Sequence, residues 1–162
     1  MITSVGKRAT ALALVIIAAG AAELSAAPKV SQKTSYYKVS ATSIPALIDE
    51  LNRSGPQGHW AYTSWYVKWT GSCKLSVDIA YTLPKHGNPS AMPADVRRKW
   101  DAMIDALTRH EHQHGGFGVS AAQEIERAGC KNGDAIIAKY ASEEKKFDKR
   151  TNHGIKDGAT LK

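Results

Sequence analysis

Val96, Trp100, Met103, Ile104 and Leu107 recur at helical spacing and lead without a break into His110-Glu111-His112-Gln113-His114. Residues three and four apart share one face of an α-helix, so the apolar stripe and the His110/His114 pair belong to a single long helix from near residue 94 to about Ala128. The two imidazoles then project side by side, where they can place two nitrogens on one ion. Any fold for this chain has to be built around that helix.

Glu111 is offset from the histidine pair by one residue and can reach a water on the ion without being a ligand itself. This is the HExxH arrangement of the zincins. A zinc ion with three protein ligands keeps a fourth position for water and lowers its pKa toward about 7. Glu111 is then the expected general base. His112 lies about 200° around the helix from His110 and is expected in solvent. His59 and His86 fall in turns or loops and are not expected as ligands. Glu124 and Glu126 share the helix but lie too far along it. The longer pattern HExxHxxGxxH needs Gly at 117 and His at 120, where this chain has Phe117 and Ser120.

The remainder implies an α+β fold: a small antiparallel sheet of about three strands packed on the long helix and on an antiparallel C-terminal helix, zincin-like in arrangement. Residues 28–35 are polar and are expected as a loose lead-in to a domain over 36–158, with 159–162 a tail. Tyr37, Val39 and Ala41 alternate as in a half-buried strand. Ser43 and Pro45 start a short helix to about Asn52, and Ser54 to Gly58 is a turn. Trp60 to Thr70 and Cys73 to Leu83 alternate on either side of Gly71-Ser72, as in a hairpin, and Pro84 to Met92 is a loop. Gly115, Gly116 and Gly118 mean that the long helix bends there or that something approaches its backbone closely. Gly129 to Gly133 breaks the chain before a second helix that runs to about Lys149. In an antiparallel helical hairpin about that break, His110 faces the region of residue 152 and His114 that of residue 148. His153 is thereby expected as the third ligand and Asp148 as its support, with Glu143 or Glu144 as the second choice.

Lys7 and Arg8 precede an apolar stretch from Ala11 to Ala22 and the small residues Ser25-Ala26-Ala27. That is the layout of a cleaved signal peptide over residues 1–27, and no later segment approaches the length of a membrane span. A periplasmic or secreted protein is expected. Removing Lys7, Arg8 and Glu23 with the leader leaves the chain basic, as the whole sequence is at +7. Its cations are scattered and form no dense block interleaved with aromatics, so a nucleic-acid partner is not expected. Cys73 and Cys130 are far apart with no CxxC unit, in a compartment that permits disulfides, which favours their pairing.

With HEHQH and the closing Phe147-Asp148-Lys149-Arg150-Thr151-Asn152-His153-Gly154 in view, the chain resembles the bacterial family called domain of unknown function 922, described as predicted secreted zinc-dependent proteases. The resemblance spans roughly Tyr36 to Gly158. It rests on Cys73, Leu83-Pro84, His110, Glu111, His114, Asp148, Thr151, His153 and Gly154, and Phe147 stands where the family pattern has Tyr. The resemblance implies a protease-like site. Together these features lead us to expect one zinc per chain and a peptide or protein substrate. The alternative is a non-catalytic zinc-binding interaction domain.

Overall fold

The structure is a computed structural model that describes residues 27–162; the leader expected over 1–27 lies outside the described residues except for Ala27. The chain folds in the order β1 (Lys29–Val39), α1 (Ile44–Ser54), β2 (Tyr62–Trp69), β3 (Leu75–His86), α2 (Ala94–Arg127) and α3 (Gly133–Thr151), an α+β arrangement with a short 3-10 turn at Ile155–Asp157. Alternation fixes the faces of β3: Leu75, Val77, Ile79, Tyr81 and Leu83 are buried beneath α2, while Asp78 and Ala80 between them are exposed. β2 pairs antiparallel with β3, from Tyr62 opposite Thr82 to Trp69 opposite Leu75.

The sheet is mixed, because β1 lies on the other side of β3 and runs parallel to it, from Lys29 opposite Ser76 to Val39 opposite His86. Residues 29–35, expected as a loose lead-in, are therefore the first half of a strand. Their side chains are exposed. The ladder to the central strand holds this segment with little burial, so no apolar alternation marks it. The end of the chain differs in the same way: Ala159 and Leu161 are 4% and 1% exposed and belong to the core, although 159–162 was expected as a tail.

α2 runs unbroken for 34 residues through Gly115, Gly116 and Gly118, so of the two meanings open for those glycines close approach is the one realised, at Gly115 and Gly118. A Cβ on Gly115 would meet the Tyr81 hydroxyl, and one on Gly118 would lie 2.8 Å from Trp65 Cβ. The sheet packs directly on the backbone of the helix. Two apolar clusters result. One gathers Leu47, Leu51, Leu83, Trp100, Met103 and Leu161 around the first half of α2, and the other gathers Val77, Ile79, Ala121, Ala122, Ile125 and Ile136 around its second half. Burying each of the larger aliphatic side chains is worth about 1.5–3 kcal/mol. Cys73 and Cys130 are joined, tying the β2–β3 turn to the α2–α3 turn. At the same end the Trp69 ring packs against Gly133, where a Cβ would be 2.7 Å away.

Candidate metal centre

Between the two apolar clusters, the middle of α2 turns His110, Glu111 and His114 inward; their exposures are 5%, 5% and 7%. Burying two imidazoles and a carboxylate requires partners. α3 supplies them. Asp148 Oδ1 lies 3.2 Å from His110 Nε2 and 3.1 Å from His114 Nε2, and the two Nε2 atoms are 3.1 Å apart. A tetrahedral ion with bonds of about 2.0 Å holds its ligand atoms about 3.3 Å apart, so this nearly equilateral triangle has the dimensions of one face of such a site. His110, His114 and Asp148 could hold a metal ion together.

A second carboxylate fixes the histidine that is farther along the helix. His114 Nδ1 is 2.9 Å from Glu144 Oε1, and that oxygen also accepts a hydrogen bond from Trp65 Nε1 at 3.3 Å. Such a bond sets the tautomer, leaving Nε2 with its lone pair toward the triangle. Burial alone lowers the pKa of His114, but the Glu144 hydrogen bond and the carboxylates of Asp148, Glu111 and Glu144 outweigh it and carry the pKa above its ordinary value. His110 goes the other way, its pKa lowered by burial first and by His114 second, which favours the neutral, ligating imidazole. Its Nδ1 is the one buried side-chain nitrogen or oxygen without a hydrogen-bond partner among the described residues.

Glu111 is held from the sheet side. Thr63 Oγ1, buried in β2, lies 2.6 Å from Glu111 Oε2 and 3.1 Å from the Glu111 carbonyl oxygen. Burial raises the carboxyl pKa above its ordinary value, and the Thr63 hydrogen bond opposes part of that rise. His114 also draws the pKa back toward its ordinary value, but burial prevails, so the carboxylate keeps its capacity to take a proton.

The closing segment brings His153 to the rim and Asp148 to the centre. α3 ends at Thr151, whose Oγ1 bonds Phe147 O at 2.9 Å and accepts from Gly154 N at 3.3 Å. Asn152, His153 and Gly154 all have positive φ, 52° at His153, and turn the chain off the helix axis. The His153 side chain is consequently 60% exposed, with Nδ1 3.6 Å from Asp148 Oδ1, too long for a hydrogen bond. Of the two residues expected as ligand and support, it is Asp148 whose oxygen joins the histidines. Gly154 passes under His110: a Cβ there would be 3.0 Å from His110 Cγ. Glu144, the second choice for third ligand, orients His114 instead, and Glu143 faces outward onto Lys146 at 2.8 Å.

The remaining histidines stay out of the triangle. His112 is exposed, with its ring 4.8 Å from that of Tyr81. His59 lies beside His153 at 5.8 Å between rings. His86 is buried but structural, between Ala41 O at 2.9 Å and Asn88 N at 3.1 Å. Thr63 and Trp65 had no signal of their own in the sequence, since each reads as one more β residue.

A family model described as "Bacterial protein of unknown function (DUF922)" matches residues 34–154. The chain belongs to this family. The DUF922 match takes in all of the triangle, Glu111 and Thr63, and it ends at Gly154, the residue packed against His110. No curated protein and no solved structure matches the chain. Among the described residues no helix is long and apolar enough to cross a membrane.

Proposed function

We propose that this DUF922 member is an exported, zinc-dependent peptidase acting on proteins or peptides outside the cytoplasm. The observation that carries the reading is the pairing of a three-donor triangle with a buried carboxylate one residue along the same helix. A site that only held an ion would need His110, His114 and Asp148 but would have no use for Glu111 next to it, desolvated and positioned by Thr63. Two imidazoles and one carboxylate are a donor set that zinc accepts with one position left open. When bound, zinc supplies the positive charge that acidifies a water and polarises a peptide carbonyl.

The chain's own groups do the rest. Glu111 removes a proton as the water oxygen bonds to the carbonyl carbon; the C–N bond then breaks, and the same carboxyl returns the proton to the departing amine. Glu144 and Asp148 keep the two imidazoles in register, and Thr63 stops Glu111 from rotating toward the histidines. The disulfide accords with export, and the scattered cations give no footprint for nucleic acid.

Metal analysis of the purified mature chain should give about one zinc per molecule. Glu111→Gln keeps the shape of the side chain, so zinc should stay bound while hydrolysis of a protein substrate falls by roughly 10²-fold or more. A chain that remains metal-free after zinc addition, or a Glu111→Gln variant with undiminished hydrolysis, would overturn the reading.

A further inference from the structure

A cavity of about 550 Å³ opens beside the triangle, and it is walled by more than the metal-binding groups. Its apolar lining comes from Ile48 of α1, Trp60 and Ala61 before β2, Leu107 of α2, and Ile155 and Ala159 after α3. Charged and polar groups share the lining with these apolar residues, Glu144, Lys145, His59 and Lys162 among them, and this size and mixture suit an organic ligand; such pockets run about 300–1,000 Å³. Leu107 sits one helical turn before His110 and Glu111, so the apolar floor begins about 5 Å from the reacting groups. That is the reach of one large side chain.

The seat is preformed. Trp60 is fixed by two bonds, its indole N–H donating to Asn52 Oδ1 at 2.7 Å and its carbonyl accepting from the Tyr37 hydroxyl at 2.6 Å. A wall whose rotamer is already set loses little entropy on binding. At the mouth Ile155 is 41% exposed, carried there by the left-handed turn through residues 152–154. An exposed isoleucine beside a buried polar centre gains from being covered.

We propose that this cavity seats a bulky apolar side chain of the substrate, so that the peptide bond next to that residue is presented to Glu111. The inference rests on the peptidase reading and adds its specificity: substrates with Leu, Phe or a comparable residue beside the scissile bond.

The test uses zinc-loaded Glu111→Gln chain titrated calorimetrically with acetylated, amidated pentapeptides that differ only in Phe, Leu, Ala or Lys at one position. Cleavage of the same peptides by wild type is mapped by mass spectrometry. The Phe and Leu peptides should bind about tenfold or more tightly than the Ala peptide, with Lys weakest, and cleavage should fall at the bond beside that residue. Ile155→Lys and Thr160→Trp, at the mouth and in the wall, should each reduce the Phe-to-Ala ratio severalfold while zinc content stays unchanged. Equal binding of Phe, Ala and Lys peptides, or no binding of any, overturns the seat. Cleavage without discrimination would overturn the seat and leave the peptidase reading standing, whereas Phe-selective binding with no cleavage would support the seat and defeat the peptidase.

Discussion

Replacing Asp148 by Ala tests the candidate metal centre most directly, because α3 and the turn after it bring Glu144, Asp148 and His153 near the histidines and of these three Asp148 alone completes the triangle. Asp148 Oδ1 stands 3.1–3.2 Å from both Nε2 atoms, whereas His153 Nδ1 is 3.6 Å from that oxygen and its side chain is 60% exposed. Loss of Asp148 removes one of the three donors that could hold an ion, the carboxylate oxygen within 3.2 Å of both Nε2 atoms. A supporting partner of a metal ligand is worth 10- to 100-fold in affinity, so a direct ligand should exceed that range: about 10³-fold, or about 4 kcal/mol. Glu144→Ala should fall within the supporting range, because it frees His114 Nδ1 but leaves Nε2 in place. His153→Ala should change affinity by no more than about threefold, since an exposed ring beyond hydrogen-bond distance restrains little. Competition with a chelator of known zinc affinity ranks the three variants. The reasoning fails if His153→Ala costs more than 100-fold while Asp148→Ala costs less than tenfold; the third ligand would then be His153, as the sequence alone suggested.

Three further outcomes follow from the packing. Cys73→Ser with Cys130→Ser releases a crosslink across a sequence separation of 57, and chain entropy puts the loss at about 4 kcal/mol, read from urea midpoints; an unchanged midpoint would refute it. Glu50 accepts from Ser40 N and Ala41 N at 2.8 Å each; partial burial raises its pKa, but these bonds outweigh that and hold it below its ordinary value. Its contribution should be present above the unfolded carboxyl pKa and vanish as pH falls through the lower folded value. Glu50→Gln should therefore cost up to about 1 kcal/mol at pH 7 and nothing in strong acid, and a gap that widens toward acid would contradict the assignment. Gly118→Ala drives a Cβ to within 2.8 Å of Trp65 and should cost about 1–3 kcal/mol, whereas Gly116→Ala meets only Gln113 Nε2 at 3.9 Å and should gain up to about 1 kcal/mol. Thermal melts of the pair decide it, and equal shifts of the same sign would be the wrong result.

Periodicity made α2, β2 and β3 legible because each buries one face, and burial leaves a repeat in the sequence. The same logic explains what was missed. β1 earns its place through a backbone ladder to β3, and backbone hydrogen bonds leave no mark on side-chain identity. Val-Ser-Gln-Lys-Thr-Ser therefore reads as a linker while forming a strand. Ala159 and Leu161 are core residues in a segment too short to repeat anything, so only the fold shows that the chain returns to the cluster around Leu47 and Leu51.

At the centre itself, helical spacing alone sufficed for His110, Glu111 and His114, because a single rigid element sets their relative positions. Antiparallel pairing of α2 and α3 carried the argument one step further and placed residue 148 opposite His114, where the structure has it at 3.1 Å. Choosing between Asp148 and His153 was beyond that reasoning. The two are five residues apart, and the helix ends between them, at Thr151, so the direction of the His153 ring depends on the φ values of 152–154 rather than on any periodic rule. A left-handed turn rotates the later residue outward and leaves the last inward-facing carboxylate of α3 to meet the histidines. Thr63 and Glu144 follow from the same limit: each acts through a bond to one atom of one partner, and such a pair can be recognised only once the sheet, α2 and α3 are packed together.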